Sequence, residues 1–488
     1  MSQITVSHLT FAYPGSYDDI FSDASFTLDT DWKLGFCGRN GRGKTTFLQL
    51  LLGKYEYGGE IRASVDFEYF PYAVPDASED TLSVLTQIAP DAPEWQLRRE
   101  LGKLAVSEDV LYRPFETLSN GERTKALLAA LFQRENAFLL IDEPTNHLDM
   151  ASRELVARYL NGKSGFILVS HDRAFLDACV DHILSINRAN IEIQSGNFSS
   201  WYHNKELQDS FELEKNAELK KDIKRLAETA REKAEWSDKA EATKIGSHSA
   251  DRGHVGHLAA KQMKRSKSIE NRRERELDEK SKLMKNLELA DSLKLSPLTY
   301  HSNRLLWLEN VSISYGDKLA CENVTFEVNR GERVALRGRN GSGKSSILKL
   351  ICGEELAHTG EAHIGSGLVI SYVPQDASFL TGSLEDFAET RGIDFTLLLS
   401  ILRKLDFKRV QFEKDMGDYS AGQKKKVLLA GSLCERAHLY VWDEPLNYID
   451  VLSRMQIEEL IAEYSPTLLF VEHDSAFCDA VASKVIEL

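Results

Sequence analysis

The chain has 488 residues, 42% of them hydrophobic, which excludes a disordered polypeptide and leaves room for two or three domains with their own cores. Its formal net charge of -15 excludes a uniformly basic nucleic-acid binder, but phosphate is recognised by local Lys and Arg clusters, so an RNA partner stays open. The cysteines, Cys37, Cys179, Cys321, Cys352, Cys434 and Cys478, stand singly; they exclude a zinc or disulfide framework and suit a reducing, cytoplasmic setting. No apolar run approaches the roughly 18 residues of a membrane span, and "MSQITVSHLTFAYPG" lacks the pattern of an export signal.

In chain order, "WKLGFC" reads as a short strand and "TTFLQLLLG" as an amphipathic helix. The run "CGRNGRGKTT" between them fits G-x-x-x-x-G-K-[ST]: Gly38, Gly43, Lys44 and Thr45, with Asn40, Gly41 and Thr46 inside the same stretch. Glycines there let backbone N–H groups approach phosphates, the lysine reaches the terminal ones, and the Thr45 hydroxyl is placed for Mg²⁺. Next, "FLLIDE" reads as a buried parallel strand that carries Asp142 and Glu143 to the edge of a sheet. Asp142 is the expected metal ligand and Glu143 the expected base for water. "LVSHD" then ends a further apolar run at His171.

A basic connection follows, and then the series repeats in the same order at a spacing of roughly 300 residues, the mark of an internal duplication. "RGRNGSGKSS" supplies Gly338, Asn340, Gly341, Gly343, Lys344, Ser345 and Ser346, and "LYVWDE" supplies Asp443 and Glu444. His473 stands in "FVEHD". A single phosphate-loop match could be a chance glycine-rich turn; two in register, each followed by an acid pair, point to an α/β protein with two P-loop nucleotide-binding domains.

Ahead of each acid pair lie "LSNGE", with Ser119, Gly121 and Glu122, and "YSAGQ", with Ser420, Gly422 and Gln423. These resemble the signature loops of the ATP-binding-cassette superfamily, in which Ser and Gly at a helix start present donors to an anion. The resemblance implies two composite ATP sites at a head-to-tail interface within one chain. The first joins Gly38 to Thr46, Asp142, Glu143 and His171 with the second signature, and the second joins Gly338 to Ser346, Gln375, Asp443, Glu444 and His473 with the first. It also implies that His171 and His473 contact the γ-phosphate, that Tyr13 and Tyr315 stack on adenine, that Gln375 joins the Mg²⁺ ligands, and that Asp149 and Asp450 lie at the interface. One departure matters: Tyr72 stands where the other half has Gln375, and a phenol does not replace an amide as a ligand. A second is "DEPLNYID" in place of "DEPTNHLD".

Two cassettes without a membrane span resemble the ABC-F family, whose members bind the ribosome. The domain boundaries expected are 1–203 and 301–488 for the cassettes and 204–300 for a helical hairpin linker. Phe211, Leu219, Ile223, Leu226, Ala230 and Ala234 recur at helical spacing, as do Ile269, Leu277, Met284 and Leu287. Arms of about 40 residues would reach roughly 60 Å. The tip, near 245–267, is "KIGSHSADRGHVGHLAAKQMKRSK"; Ser247, His248, Arg252, His254, His257, Lys261, Lys264 and Arg265 suit phosphate contacts and stacking on folded RNA. A solvated spacer is the plainer reading of that stretch taken alone.

The resemblance implies ATP and Mg²⁺ as cofactors and a monomeric cytoplasmic chain. It also implies a bacterial 70S ribosome as partner, met at the exit site through 23S rRNA and the P-site tRNA, without membrane or DNA. The 72–119 interval matches 375–420 in length, which leaves no room for an inserted arm, and "KVIEL" follows the second cassette directly. These features resemble the branch that protects ribosomes from lincosamides, streptogramin A and pleuromutilins; a housekeeping translation factor is the alternative. A transporter subunit would need a membrane partner, and a DNA-repair ATPase a far longer coiled coil.

Overall fold

A computed structural model describes residues 2–14, 19–39, 41–146, 148–186, 191–211, 295–316, 318–405, 407 and 409–488. Asn40, most of the expected hairpin and the whole of its tip lie outside the described residues. The chain divides into two compact units, Met1–Ser199 with Ala290–Leu488, and Ser200–Leu289. Both cassettes belong to the first.

The first cassette opens with β1 (Gln3–Phe11) and β2 (Phe21–Asp29), which pair antiparallel, and β4 (Gly58–Arg62) adds to the other edge of β1. Ile4 and Val6 are buried on β1, then Leu9 and Phe11. The switch from even to odd positions falls at a break in register beside His8, whose φ is +53°, so a bulge keeps one apolar face inward despite the changed phase. Behind this sheet lie β3 (Lys33–Cys37), β5 (Asp66–Phe70), β6 (Ala137–Asp142), β7 (Phe166–Val169), β8 (His182–Ile186) and β9 (Ile191–Ser195). Their order is β5–β6–β7–β3–β8–β9, parallel except for the last pair. Strands β6 and β7 are apolar without alternation because both faces are covered, one of them by the antiparallel sheet and the helix after the phosphate loop: Phe138 to Ile141 and Phe166 to Val169 are all buried.

The helices start where the sequence supplies caps. Helix α1 (Lys44–Leu51) follows the first phosphate loop, α2 (Thr81–Ile88) is capped by Asp80, and α3 (Glu94–Lys103) follows Pro93. Helix α4 (Asn120–Leu131) begins in a capping box between Ser119 and Glu122. Asp149 and Asp172 cap α5 (Met150–Asn161) and α6 (Arg173–Cys179).

The second cassette repeats the plan. Strands β10 (Arg304–Tyr315), β11 (Lys318–Asn329) and β13 (His358–Ile364) form the antiparallel sheet. Strands β12 (Arg333–Arg337), β14 (Ile370–Val373), β15 (Leu439–Asp443), β16 (Leu468–Val471) and β17 (Lys484–Glu487) form a parallel sheet ordered β14–β15–β16–β12–β17. Its helices are α7 (Lys344–Ile351), α8 (Leu384–Arg391), α9 (Phe395–Lys404), α10 (Ala421–Cys434), α11 (Val451–Tyr464) and α12 (Ser475–Val481). The expected class, two P-loop domains built on parallel sheets, is what the chain adopts. Arg173 of α6 bonds Glu458 of α11 at 2.9 Å, tying one cassette to the other. Among the described residues no helix is long and apolar enough to cross a membrane.

A buried carboxylate fastens the helical layer of the first cassette. Glu100 on α3 is fully buried and accepts from Lys103 (2.8 Å), Tyr159 (2.9 Å) and Lys163 (2.7 Å), the last two on or just beyond α5. Burial pushes this carboxyl up, but the hydrogen bonds from Lys103, Lys163 and Tyr159 outweigh it and bring it down to about 2. Its contribution is therefore complete above the ordinary value near 4.5 and is lost as pH falls toward about 2. Glu100→Ala strands a lysine and a phenol, and should cost about 3–5 kcal/mol in urea unfolding at pH 7. The gap from wild type should narrow as the titration is repeated below pH 4.5; a gap that stays constant with pH would show that the carboxylate's charge is not what holds the layer.

Candidate active site

Each phosphate loop is shaped by left-handed glycines. Gly43 (φ +95°) and Gly343 (φ +84°) precede α1 and α7. A Cβ at Gly43 would lie 2.5 Å from Ile20 Cγ2, and one at Gly343 would lie 2.7 Å from the Ala320 carbonyl. Dihedral and space therefore both require glycine. Gly38, Gly41, Gly338 and Gly341 also have positive φ. Lys44 Nζ donates to the carbonyls of Gly38 (2.6 Å) and Arg39 (3.2 Å), and Lys344 Nζ to those of Gly338 (2.9 Å) and Arg339 (2.8 Å). Both amines are thus curled inside their own loops, where a phosphate oxygen could take over from the carbonyls. Asn340 lies in the second loop; its counterpart Asn40 is outside the described residues.

The expected adenine-side tyrosines sit over the helices these loops begin. Tyr13 Oη lies 2.9 Å from Thr46 Oγ1, and Tyr315 Oη donates to Ser346 Oγ at 3.2 Å. Tyr13 packs edge-on against Phe11 and Tyr55. Both tyrosine rings are partly exposed, as a stacking surface must be.

The acids differ more than their sequences suggest. Glu143 (φ +51°) and Glu444 (φ +47°) both take the left-handed region, at a cost of about 1–3 kcal/mol each, and turn their side chains off the strand ends. Their histidines stand beside them at 3.4 Å for His171 and 3.5 Å for His473. Burial pushes Glu143 up to about 8, with the Asp142 charge adding to it. Burial also acts on Glu444, but His473, Gln375 and Asn447 outweigh it and bring that carboxyl down to about 2. Asn447 Nδ2 donates to Glu444 Oε2 at 2.7 Å, and Gln375 supplies a second amide donor. Tyr72 offers the first site no such amide. Burial and the Lys44 charge together hold His171 well below its usual value, so it is neutral at pH 7.

The metal-side residues cluster too. The Thr45 hydroxyl donates to Asp142 Oδ2 at 3.2 Å, and Tyr69 donates to the same oxygen at 2.9 Å. Asp443 is the sharper case: among the described residues both its carboxylate oxygens are buried without a hydrogen-bond partner. Burial pushes its carboxyl up to about 6 against the pull of Ser345, Lys425 and Lys344. An orphaned carboxylate beside a hydroxyl is a hard-oxygen donor set that suits Mg²⁺.

The two halves meet across these sites unequally. A cavity of 440 Å³ is lined by Gly41, Glu143, Asn146 and His171 from the first cassette and by Ser420, Gly422, Gln423, Lys426 and Tyr448 from the second. It brings together part of the set expected for the first site, and Phe407 and Gln411, which the motifs did not flag, also line it. Tyr448 (φ +66°) crowds the signature glycine, since a Cβ at Gly422 would lie 2.9 Å from Tyr448 Cβ. At the second site a 330 Å³ cavity joins Gly338, Arg339, Lys344 and His473 to Asp149, Met150, Ala151 and Glu154 of the first cassette. Ser119, Gly121 and Glu122 do not line it; Ser119 and Glu122 are satisfied by their own capping box, and Glu122 also lies 3.6 Å from Arg113. Asp450 meets the first site in the same manner as Asp149 meets the second: burial pushes its carboxyl up, and the charges of Lys426 and Lys44 bring it below its usual range.

Known proteins resemble this chain in sequence and in fold. A family profile described as ABC transporter matches residues 21–146 and again 321–447, together more than half of the chain. The chain belongs to this ATP-binding-cassette family. As a tandem cassette protein it is an ATP-hydrolysing enzyme. Ribosome protection protein VmlR of Bacillus subtilis (strain 168) is 29% identical over 482 residues, covering 95% of this chain and 83% of its own. Energy-dependent translational throttle protein EttA of Escherichia coli (strain K12) is 25% identical over 521 residues, covering 96% and 89%. The tandem cassettes are thus homologous to several ABC-F ATPases. An archaeal ribosome recycling factor, aABCE1, solved with the stalk protein aP1, has the same fold with a TM-score of 0.63 at 19% identity, covering 98% of this chain and 87% of that one.

The unequal carboxyls have a readable consequence if each glutamate must be ionised to accept a proton. With Glu444→Gln, turnover comes from the first site and should rise with pH through about 8. With Glu143→Gln it comes from the second site and should show no acid limb near neutrality, because that carboxyl is already ionised far below it. Superimposable pH–rate profiles of the two single variants would show that the difference in environment does not reach the chemistry.

Proposed function

We propose that this cassette pair is a ribosome-binding ABC-F ATPase that protects the ribosome from antibiotics of the peptidyl-transferase centre. The similarity to the ribosome protection protein over 95% of the chain carries this reading. The basic stretch between Lys244 and Lys267 and the absence of an inserted arm between 72 and 119 support it. ATP closes the two halves, the closed form sits at the tRNA exit site against 23S rRNA and the P-site tRNA, and hydrolysis releases it. The similarity to the translational throttle protein favours a housekeeping factor as the second reading.

At each site the P-loop lysine exchanges its carbonyl partners for phosphate oxygens, and the loop glycines bring N–H groups to the same anion. Thr45 with Asp142, and Ser345 with Asp443 and Gln375, would hold Mg²⁺, which supplies charge neutralisation on the phosphates. Ser420, Gly422 and Gln423 complete the first site from the opposite half, and Ser119, Gly121 and Glu122 do so for the second on full closure. Glu143 and Glu444 take the proton of the attacking water while His171 and His473 contact the terminal phosphate. The domain limits that go with this reading are 1–203, 204–300 and 301–488.

Glu143→Gln with Glu444→Gln should leave ATP binding intact and lower turnover by about 10²- to 10⁴-fold. The variant should accumulate in the ribosomal fraction of a sucrose gradient containing ATP. Ordinary turnover, or absence from that fraction, would sink the assignment.

Replacing Ser247 to His257, outside the described residues, with a short Gly/Ser turn removes the tip but neither ATP site. Basal ATPase should persist. In a susceptible Gram-positive host the unaltered chain should raise the inhibitory concentration of a lincosamide or pleuromutilin, and the tip-replaced chain should not. Full resistance without the tip would make the stretch a spacer; no resistance from the unaltered chain would favour the housekeeping reading.

A further inference from the structure

Helix α10 carries three consecutive lysines, Lys424, Lys425 and Lys426, all of them buried. Burying an ammonium is costly unless its donors are met, and lysine has three donors and no acceptor. Lys424 donates to the Ser378 carbonyl and Lys426 to the Leu405 carbonyl. Lys425 is different. Its Nζ donates to the carbonyls of Pro374 (2.7 Å), Gln375 (3.2 Å) and Asp443 (2.9 Å), so each of its three protons has an acceptor. Two of those acceptors belong to the loop that presents Gln375, and the third closes the strand that delivers Asp443 and Glu444.

We propose that Lys425 is a positioning residue of the second ATP site, clamping the Gln375 loop to the end of β15 so that the Gln375 amide meets the Glu444 carboxylate. The proposal rests on the reading of Glu444 as the base. The first half lacks both parts of the device: in register with Lys425 stands Thr124, too short to span such a gap, and in register with Gln375 stands Tyr72. The clamp and the amide it orients are thus present together or absent together. The charge is faced by carboxylates of several elements, Asp443, Glu472, Glu444 and Asp376, and burial nonetheless lowers the amine to about 8. Helix α10 is also capped by Ser420, so the same helix serves the first site at its start and ties down the second a little more than one turn later.

The test is steady-state ATPase in the full chain. In the Glu143→Gln background, Lys425→Met should lower kcat on the order of tenfold to a hundredfold, the range expected when a reacting group is misplaced by up to about 1 Å, with KM little changed. In the Glu444→Gln background the loss should be several-fold smaller. Lys425→Thr, which installs the first half's own residue, is the second variant and should behave like Lys425→Met. In the otherwise unaltered chain, Gln375→Ala combined with Lys425→Met should be no slower than Gln375→Ala alone. Equal losses in both backgrounds, a loss confined to KM, or additive losses in the double variant would overturn the clamp. Continued turnover by the paired glutamine variant would instead remove Glu444 as base, and the clamp would still be judged by whether the Gln375 and Lys425 losses add.

Discussion

A carboxylate carried out of water at the end of a strand that is buried on both faces is the constraint on which this molecule is built. Strands β6 and β15 are apolar up to their last residues because both faces of the parallel sheets are covered, so Asp142 emerges half-buried and Asp443 buried, with their chemistry undecided. What decides it is the immediate company. Tyr69 and Thr45 donate to one oxygen of Asp142, whereas the more deeply buried Asp443 has Ser345, Lys425 and Lys344 to oppose its burial. The glutamates one residue on obey the same rule. Two amides and a histidine keep Glu444 ionised, whereas Glu143, to which neither Tyr72 nor the nearby Asn146 gives such a bond, is left to burial and its acidic neighbour.

The duplicated plan therefore delivers similar backbones and dissimilar electrostatics. Both phosphate loops have the same left-handed glycines, both lysines curl onto the same pair of carbonyls, and both glutamates share one unusual backbone region. The divergence includes Tyr72 against Gln375, Thr124 against Lys425, and the unequal way in which each half reaches across to the other. Two sites with similar backbones in this way hold their glutamates in different electrostatic surroundings.

How much of this was legible beforehand follows from how local each signal is. Phosphate loops, acid-ended strands and capped signature helices are written within a dozen residues, so spacing and residue type disclosed them, and the register between halves identified Tyr72 as the odd partner of Gln375. Lys425 was not legible: a lysine within "GQKKK" reads as a solvated helix face, and only the approach of two segments about 50 positions earlier and about 18 later makes it a buried donor. The same holds for Glu100, which a helix pattern places on a charged surface and the packing of α5 encloses. The cavity wall made by Phe407 and Gln411 depends on how two halves abut, which no local pattern encodes.

The reciprocal placement of Asp149 and Asp450 bears on how such a chain can change over generations. Each caps a helix of its own half and at the same time stands beside the other half's phosphate loop, Asp149 with Lys344 and Asp450 with Lys44. A substitution at either position would register as a folding defect in one cassette and a binding defect in its sibling. The gene copies are consequently unable to drift as separate lineages at this seam. An inherited alteration in one is tolerated only if its twin accommodates it, and hybrids assembled from halves of distant relatives would meet their first incompatibility there.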